Sequence, residues 1–270
     1  MYVQLCVVLA TSIGLMSCTP TPSASTAEIS SPMPAPQNYA DSVAVKAYEA
    51  LDGNGAFAAL PLIQFNFGFD RGGEKSVGRR HLWNKHTGDY RIEYIIGTDS
   101  SYVVMFNVGT KEGAAYLNGE EVDAAENGKM LESAYSSFIN DTYWLLAPMK
   151  MMDPGVMRTH IADSSNATTD VVKLAFEGVG LTPGDQYWMY VDKASGRLTR
   201  WAYVLQGNPD AAPRAFDWEE YVSFTTEQGE MSFSTRKQSV GGPFALLTDG
   251  VKIFNEAPEG MMTNVNAMLD

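Results

Sequence analysis

The chain carries three histidines, His81, His86 and His160. His81 and His86 flank Leu-Trp-Asn-Lys at what reads as the end of a strand. Zinc sites want closely matched ligands supported by a second layer of hydrogen bonds, and this spacing does not provide them. His160 or His81 could act as a base in a hydrolase only with a serine and a carboxylate gathered around it in a cleft. No G-x-S-x-G elbow is present to supply the serine. The acid pairs Glu120-Glu121 and Glu219-Glu220 are adjacent in sequence. Neighbours on a strand point to opposite faces, so neither pair makes a glycosidase dyad. Asp52-Gly53-Asn54-Gly55 is acidic but lacks the later ligands of a calcium loop. There is no phosphate-cradling glycine loop and no dinucleotide fingerprint. The residues therefore point away from an enzyme, with a hydrolase the weakest reading, and no cofactor or metal site is expected.

What remains is apolar surface. Met149, Met151 and Met152 follow closely on Trp144 and Leu145. Methionine is pliable and suits a surface that meets ligands of variable shape, and it serves equally as core filler. Both readings stand at this point.

The elements that would position such a surface follow from periodicity. Tyr39 to Leu51 reads as a helix, with Val43, Ala47 and Leu51 on one face. The period then changes to two. In Leu-Ile-Gln-Phe-Asn-Phe-Gly-Phe-Asp, Ile63, Phe65, Phe67 and Phe69 share one face and Gln64, Asn66, Gly68 and Asp70 the other. Runs at 77–83, 90–96 and 102–108 continue this pattern between turn signals. Residues 128–152 switch back to helical spacing, as one helix through Ile139 and a second short one capped by Asp141 and stopped near Pro148. Strand-like runs resume at 156–161, 171–176, 186–192, 197–205, 216–224, 231–237 and 244–254. The fold class is mainly β with α. About eleven strands form a single curved antiparallel sheet, a half-barrel, because the links are of hairpin length. Its concave face needs a cover, and the helices are the only candidates.

The N-terminal stretch sets the compartment. Leu5 to Met16 is apolar but too short to span a bilayer, and it suits the core of a signal peptide. Leu15-Met16-Ser17-Cys18 resembles the lipobox of bacterial lipoproteins, in which the cysteine becomes an acylated N-terminus. A plain secretory signal and a short buried helix are the alternatives. Residues 19–38 form a tract rich in Pro, Ser and Thr that reads as a tether. Residues 39–270 form one domain. Cys6 lies in the removed segment, so Cys18 would be the only cysteine kept. The formal net charge of −13 repels nucleic acid, which is excluded as a partner.

The stretches Phe-Ile-Asn-Asp-Thr-Tyr-Trp-Leu-Leu-Ala-Pro-Met-Lys-Met-Met-Asp-Pro-Gly-Val at 138–156 and Phe-Glu-Gly-Val-Gly-Leu-Thr-Pro-Gly-Asp-Gln-Tyr-Trp-Met-Tyr-Val-Asp at 176–192, continuing to Gly207, carry a resemblance. They resemble the LolA/LolB-like lipoprotein-carrier superfamily. That resemblance implies a half-open sheet around an apolar hollow that takes acyl chains. On this chain the hollow would be lined by Phe65, Phe67, Tyr90, Ile92, Tyr94, Tyr102, Val104 and Phe106 from the first strands. Tyr135, Phe138, Trp144, Leu145, Met149 and Met152 would come from the helical segment, and Met189, Trp201 and Tyr203 from the later strands. The implied protein is a monomeric, non-enzymatic cell-envelope lipoprotein that binds a lipid or an acylated protein. It would be anchored through Cys18, facing the periplasm from the outer membrane. A second reading is a surface lipoprotein that grips sugar or peptide through exposed aromatics such as Trp83, Trp188 and Trp218.

Overall fold

The structure is a computed structural model and describes residues 35–53, 55–97 and 100–270. Cys18 and the tether up to residue 34 lie outside the described residues.

Helix α1, Tyr39–Leu51, begins where Asn38 accepts a hydrogen bond from the Asp41 amide, the usual way to satisfy an orphan N–H. Its buried stripe is Ala40, Val43, Ala44, Ala47 and Leu51. A single turn, α2 (Ala56–Ala59), leads into β1 (Leu62–Arg71). Then come β2 (Glu74–Asn84), β3 (Asp89–Ile96), β4 (Ser100–Asn107), β5 (Gly113–Leu117) and β6 (Glu120–Glu121). Helix α3 spans Ala124–Lys150. After it run β7 (Val156–His160), β8 (Thr169–Phe176), β9 (Gln186–Asp192), β10 (Leu198–Val204), β11 (Arg214–Thr225), β12 (Glu230–Ser239), β13 (Phe244–Leu247) and β14 (Lys252–Phe254).

All fourteen strands join one open antiparallel sheet; thirteen run in the order β6-β5-β4-β3-β2-β1-β13-β12-β11-β10-β9-β8-β7, and β14 pairs with β1 beside this path. β1 is its hinge. Its first half pairs with β14, Leu62 to Gln64 opposite Phe254 to Lys252. Its second half pairs with β13, Gly68 opposite Leu247 through Arg71 opposite Phe244. The chain thus builds the sheet outward from β1 to the β6 edge, crosses through α3, restarts at the β7 edge and meanders back. A 27-residue helix is about 40 Å long at 1.5 Å per residue, enough for that crossing.

Gly68 sits where the register between β1 and β2 shifts, with Gly78 of β2 left without an opposite residue. A Cβ there would lie 2.3 Å from the Ser76 carbonyl oxygen, so a side chain has no room.

Three expectations need correction. The strand count is fourteen rather than about eleven, because Ala114 to Leu117 is a full strand, Glu120–Glu121 adds a short edge, and the 244–254 run breaks into β13 and β14. The helical segment is one helix, not two. It is capped by Asp123, whose carboxylate accepts from the Ala125 and Glu126 amides. Asp141 does not cap a helix: it is fully buried mid-helix and paired with Arg79. Pro148 lies inside α3, and the helix ends two residues later.

The core lies between the sheet and the two long helices. Phe65, Trp83, Tyr90 and Phe233 from the strands pack with Tyr135, Phe138 and Leu145 of α3. Met189, Trp201, Phe216 and Trp218 pack with Ala44 and Ala47 of α1 and with Trp144 of α3. The opposite face of β1–β3 is covered as well. Residues 255–270 cross it, and Leu269 packs on Leu62 and Leu82. That cover explains why Gln64 is fully buried on the polar face of β1, its amide donating to the Asp270 carbonyl oxygen at 2.9 Å.

Candidate functional site

A hollow of about 740 Å³ opens between α3 and the strands β1, β2 and β10–β13. This volume falls within the range of small-molecule sites, ~300–1,000 Å³. Its floor is a row of aromatic rings. Tyr203 lies parallel to Phe216 at 6.2 Å between centroids. Phe216 meets Phe244 edge-on at 6.2 Å, and Phe244 stacks on Phe69 at 5.6 Å. Phe69 contacts Phe67 edge-on at 5.7 Å. Trp144 of α3 closes the row from above, its ring 5.3 Å from Phe216. The β1–β13 and β10–β11 pairings create the row, because they set Phe69 opposite Leu246 and Trp201 opposite Phe216 on adjoining strands.

Among the polar groups that line the hollow, Arg79 rises from a fixed base. Its guanidinium lies 4.6 Å from the centre of the Phe67 ring. Arg79 grips Asp141 with two bonds, Nε to Oδ2 at 2.6 Å and Nη2 to Oδ1 at 3.0 Å. His81 Nε2 lies 3.1 Å from the same Oδ2, and the Tyr90 hydroxyl is 2.8 Å from His81 Nδ1. The His81 ring also stacks on Phe65 at 4.4 Å. Burial lowers the His81 imidazole pKa against the pull of Asp141, which favours a neutral ring. Burial pushes the Asp141 carboxyl up, but His81 and Arg79 together outweigh it and hold the group below its ordinary value. The cluster is a buried clasp between α3 and β2. His81 itself is fully buried, with no access for a substrate.

His160 comes nearest to a hydrolase arrangement and falls short. Ser165 Oγ lies 3.1 Å from its Nε2, and Asp170 Oδ1 lies 3.2 Å from the same nitrogen. A catalytic imidazole uses one nitrogen for the serine and the other for the carboxylate. Ser165 Oγ also donates to the Ile161 carbonyl and accepts from the Val171 amide, each at 2.9 Å. The Tyr39 hydroxyl donates to Asp170 Oδ2 at 3.0 Å. These bonds tie β8 to α1 and to the turn after β7. Among the described residues, no three His, Cys, Asp or Glu side chains gather as a metal site.

Of the residues expected to line a hollow, the structure brings Phe67, Trp144 and Tyr203 to this one. Phe65, Tyr90, Ile92, Val104, Phe106, Tyr135, Phe138, Leu145 and Met149 form one core cluster, packed by their own neighbours. Met152, Met189 and Trp201 belong to the second cluster, beneath Trp144. Tyr94 is half-buried, and its hydroxyl lies 3.1 Å from Ser137 Oγ. Tyr102 is also half-buried, its hydroxyl donating to Glu126 at 3.3 Å. The methionine run Met149, Met151 and Met152 is buried as core filler. Phe69, Phe216 and Phe244 were not among the expected lining residues; for Phe69 the signal was its shared face with Phe65 and Phe67. Trp83 and Trp218 are buried, at 3% and 4% exposure, which removes two of the three aromatics that sugar or peptide binding would need. Trp188 is half-buried, with Lys173 Nζ 5.2 Å from its ring centre.

No family model matches the chain, and no curated protein matches its sequence. Solved structures similar to it include the following three. A DUF1329 family protein from Desulfovibrio piger is 9% identical with a TM-score of 0.42, over 84% of this chain and 98% of that one. A protein described as an outer membrane lipoprotein-sorting domain, from Vibrio parahaemolyticus, is 10% identical with a TM-score of 0.44, over 83% and 97%. A LolA superfamily protein from Nitrosomonas europaea is 10% identical with a TM-score of 0.37, over 83% and 97%. All three are far from this chain in sequence, and none lends it a function.

Proposed function

We propose that this chain is a non-enzymatic binding protein of the bacterial cell envelope that holds an acyl chain or similar apolar ligand in the aromatic hollow. The observation that carries this reading is the row of rings from Tyr203 to Phe67, left open beside a core that is otherwise filled. Aromatic rings that face an open hollow of this size gain by being covered, which an apolar ligand would do. In this reading the face carrying α1 and α3 is the concave one. α3 acts as a fixed wall, because the Arg79–Asp141 clasp holds it to β2. The occupant is a lipid or the acyl chain of a protein. Membrane attachment would come from acylated Cys18, an expectation that intact-mass measurement of the envelope fraction tests.

The test of the hollow is a titration with the neutral apolar dye Nile red. Wild-type protein should take up the dye saturably at one site. Val240 lines the hollow and is 46% exposed, so an indole there would block the opening at little cost to the fold. Val240→Trp should lower dye affinity at least tenfold with an unchanged melting temperature. Saturable uptake that Val240→Trp leaves intact would move the site elsewhere, and no saturable uptake would end the reading.

A further inference from the structure

Arg71 and Arg214 flank the row of rings, and neither pairs with a carboxylate among the described residues. Arg71 ends β1, and its guanidinium carbon stands 5.3 Å from the centre of the Phe69 ring and 5.9 Å from that of Phe244. Such a contact holds a cation in place over an aromatic face. Glu74, its register partner across the β1–β2 turn, makes no ion pair with it. Arg214 opens β11, lines the hollow and lies opposite Tyr203. Both arginines are exposed. Of the seven other arginines, five, Arg79, Arg91, Arg158, Arg200 and Arg236, each have a carboxylate partner. Asp and Glu outnumber Lys and Arg by 32 to 19 in this chain, so two unpaired guanidinium groups beside one apolar hollow form a local reversal of charge.

Resting on the reading above, we propose that the ligand is a single-chain amphiphile with a carboxylate head. Its chain lies against the rings, and Arg71 and Arg214 are the cations at the rim that attract its head group. A guanidinium presents two parallel N–H donors that match the two oxygens of a carboxylate, and a hydrogen bond between two ionised groups is stronger than a neutral one. An uncharged head group would leave both cations without an anion.

The experiment compares oleate with oleyl alcohol as displacers of Nile red at pH 8, where the acid is ionised. The two differ only in the head group. Oleate should displace the dye at a concentration at least tenfold lower than the alcohol. The double variant Arg71→Gln, Arg214→Gln should bring oleate to the level of the alcohol and leave the alcohol unchanged. The double variant Arg71→Lys, Arg214→Lys, which keeps the charge, should retain most of the preference. Equal displacement by the two compounds in the wild type would overturn the head-group assignment while leaving the hollow as a lipid site. A preference that survives the double Gln variant would overturn it too. Displacement by neither compound would overturn the proposed function, and this inference with it.

Discussion

Glu93→Ala should lower the unfolding free energy by about 3–5 kcal/mol, the cost of breaking a buried ion pair by removing one partner. Arg91 and Glu93 sit two residues apart on β3, both fully buried on the face away from the helices. Arg91 Nε donates to Glu93 Oε1 at 2.7 Å. The remaining capacity of both groups goes to the C-terminal segment. Arg91 donates to the carbonyl oxygens of Asn264 and Asn266. Glu93 accepts from the Met268 amide at 3.0 Å and from the Leu269 amide at 3.1 Å. The pair thus fastens residues 264–269 across β1–β3. Without the carboxylate, a buried guanidinium keeps only backbone carbonyls and the Met105 sulfur as partners, and two amides lose their acceptor. Urea unfolding followed by circular dichroism would measure the loss. A change below about 1 kcal/mol would mean that the segment is held by Leu269 and β14 instead, in the range of a surface ion pair.

Trp201→Ala should cost a similar amount, about 3–5 kcal/mol for an aromatic removed from a packed core. The Trp201 ring lies 4.1 Å from Trp144, 4.9 Å from Tyr187 and 5.4 Å from Tyr143. It is 3% exposed. Its loss leaves a void directly beneath Trp144, so the wall of the hollow loosens with the core. Trp201→Phe should cost much less, because the indole nitrogen has no hydrogen-bond partner to lose. Thermal melts of both variants provide the comparison. An alanine variant as stable as the phenylalanine one would contradict the packing described for this cluster.

The strands were legible because alternation survives wherever one face is buried. Ile63, Phe65, Phe67 and Phe69 announced β1 and its inner face correctly. The opposite face of the same strand was misleading. Gln64 lies on the polar face yet is fully buried, because the C-terminal segment covers it, and that segment has no period of its own and gave no signal. Asp141 misled for a related reason. An Asp ahead of an apolar run has the pattern of a helix cap, and only the tertiary partner Arg79, far away on β2, explains a carboxylate within a helix. The hollow was half legible. Phe67, Trp144 and Tyr203 came from the resemblance, and all three line the hollow. Phe216 and Phe244 could not be named, because their place beside Phe69 depends on β13 pairing with β1, and strand order across a long sheet leaves no mark in the local pattern.

The claim that an apolar chain occupies the ring-lined hollow is tested most directly by mass spectrometry of organic extracts from protein purified gently from its native host. The account predicts a long-chain amphiphile in near one-to-one amount with the wild-type protein, and its loss from the Val240→Trp variant. Extracts free of lipid, or the same lipid recovered in the same amount from both proteins, would contradict it.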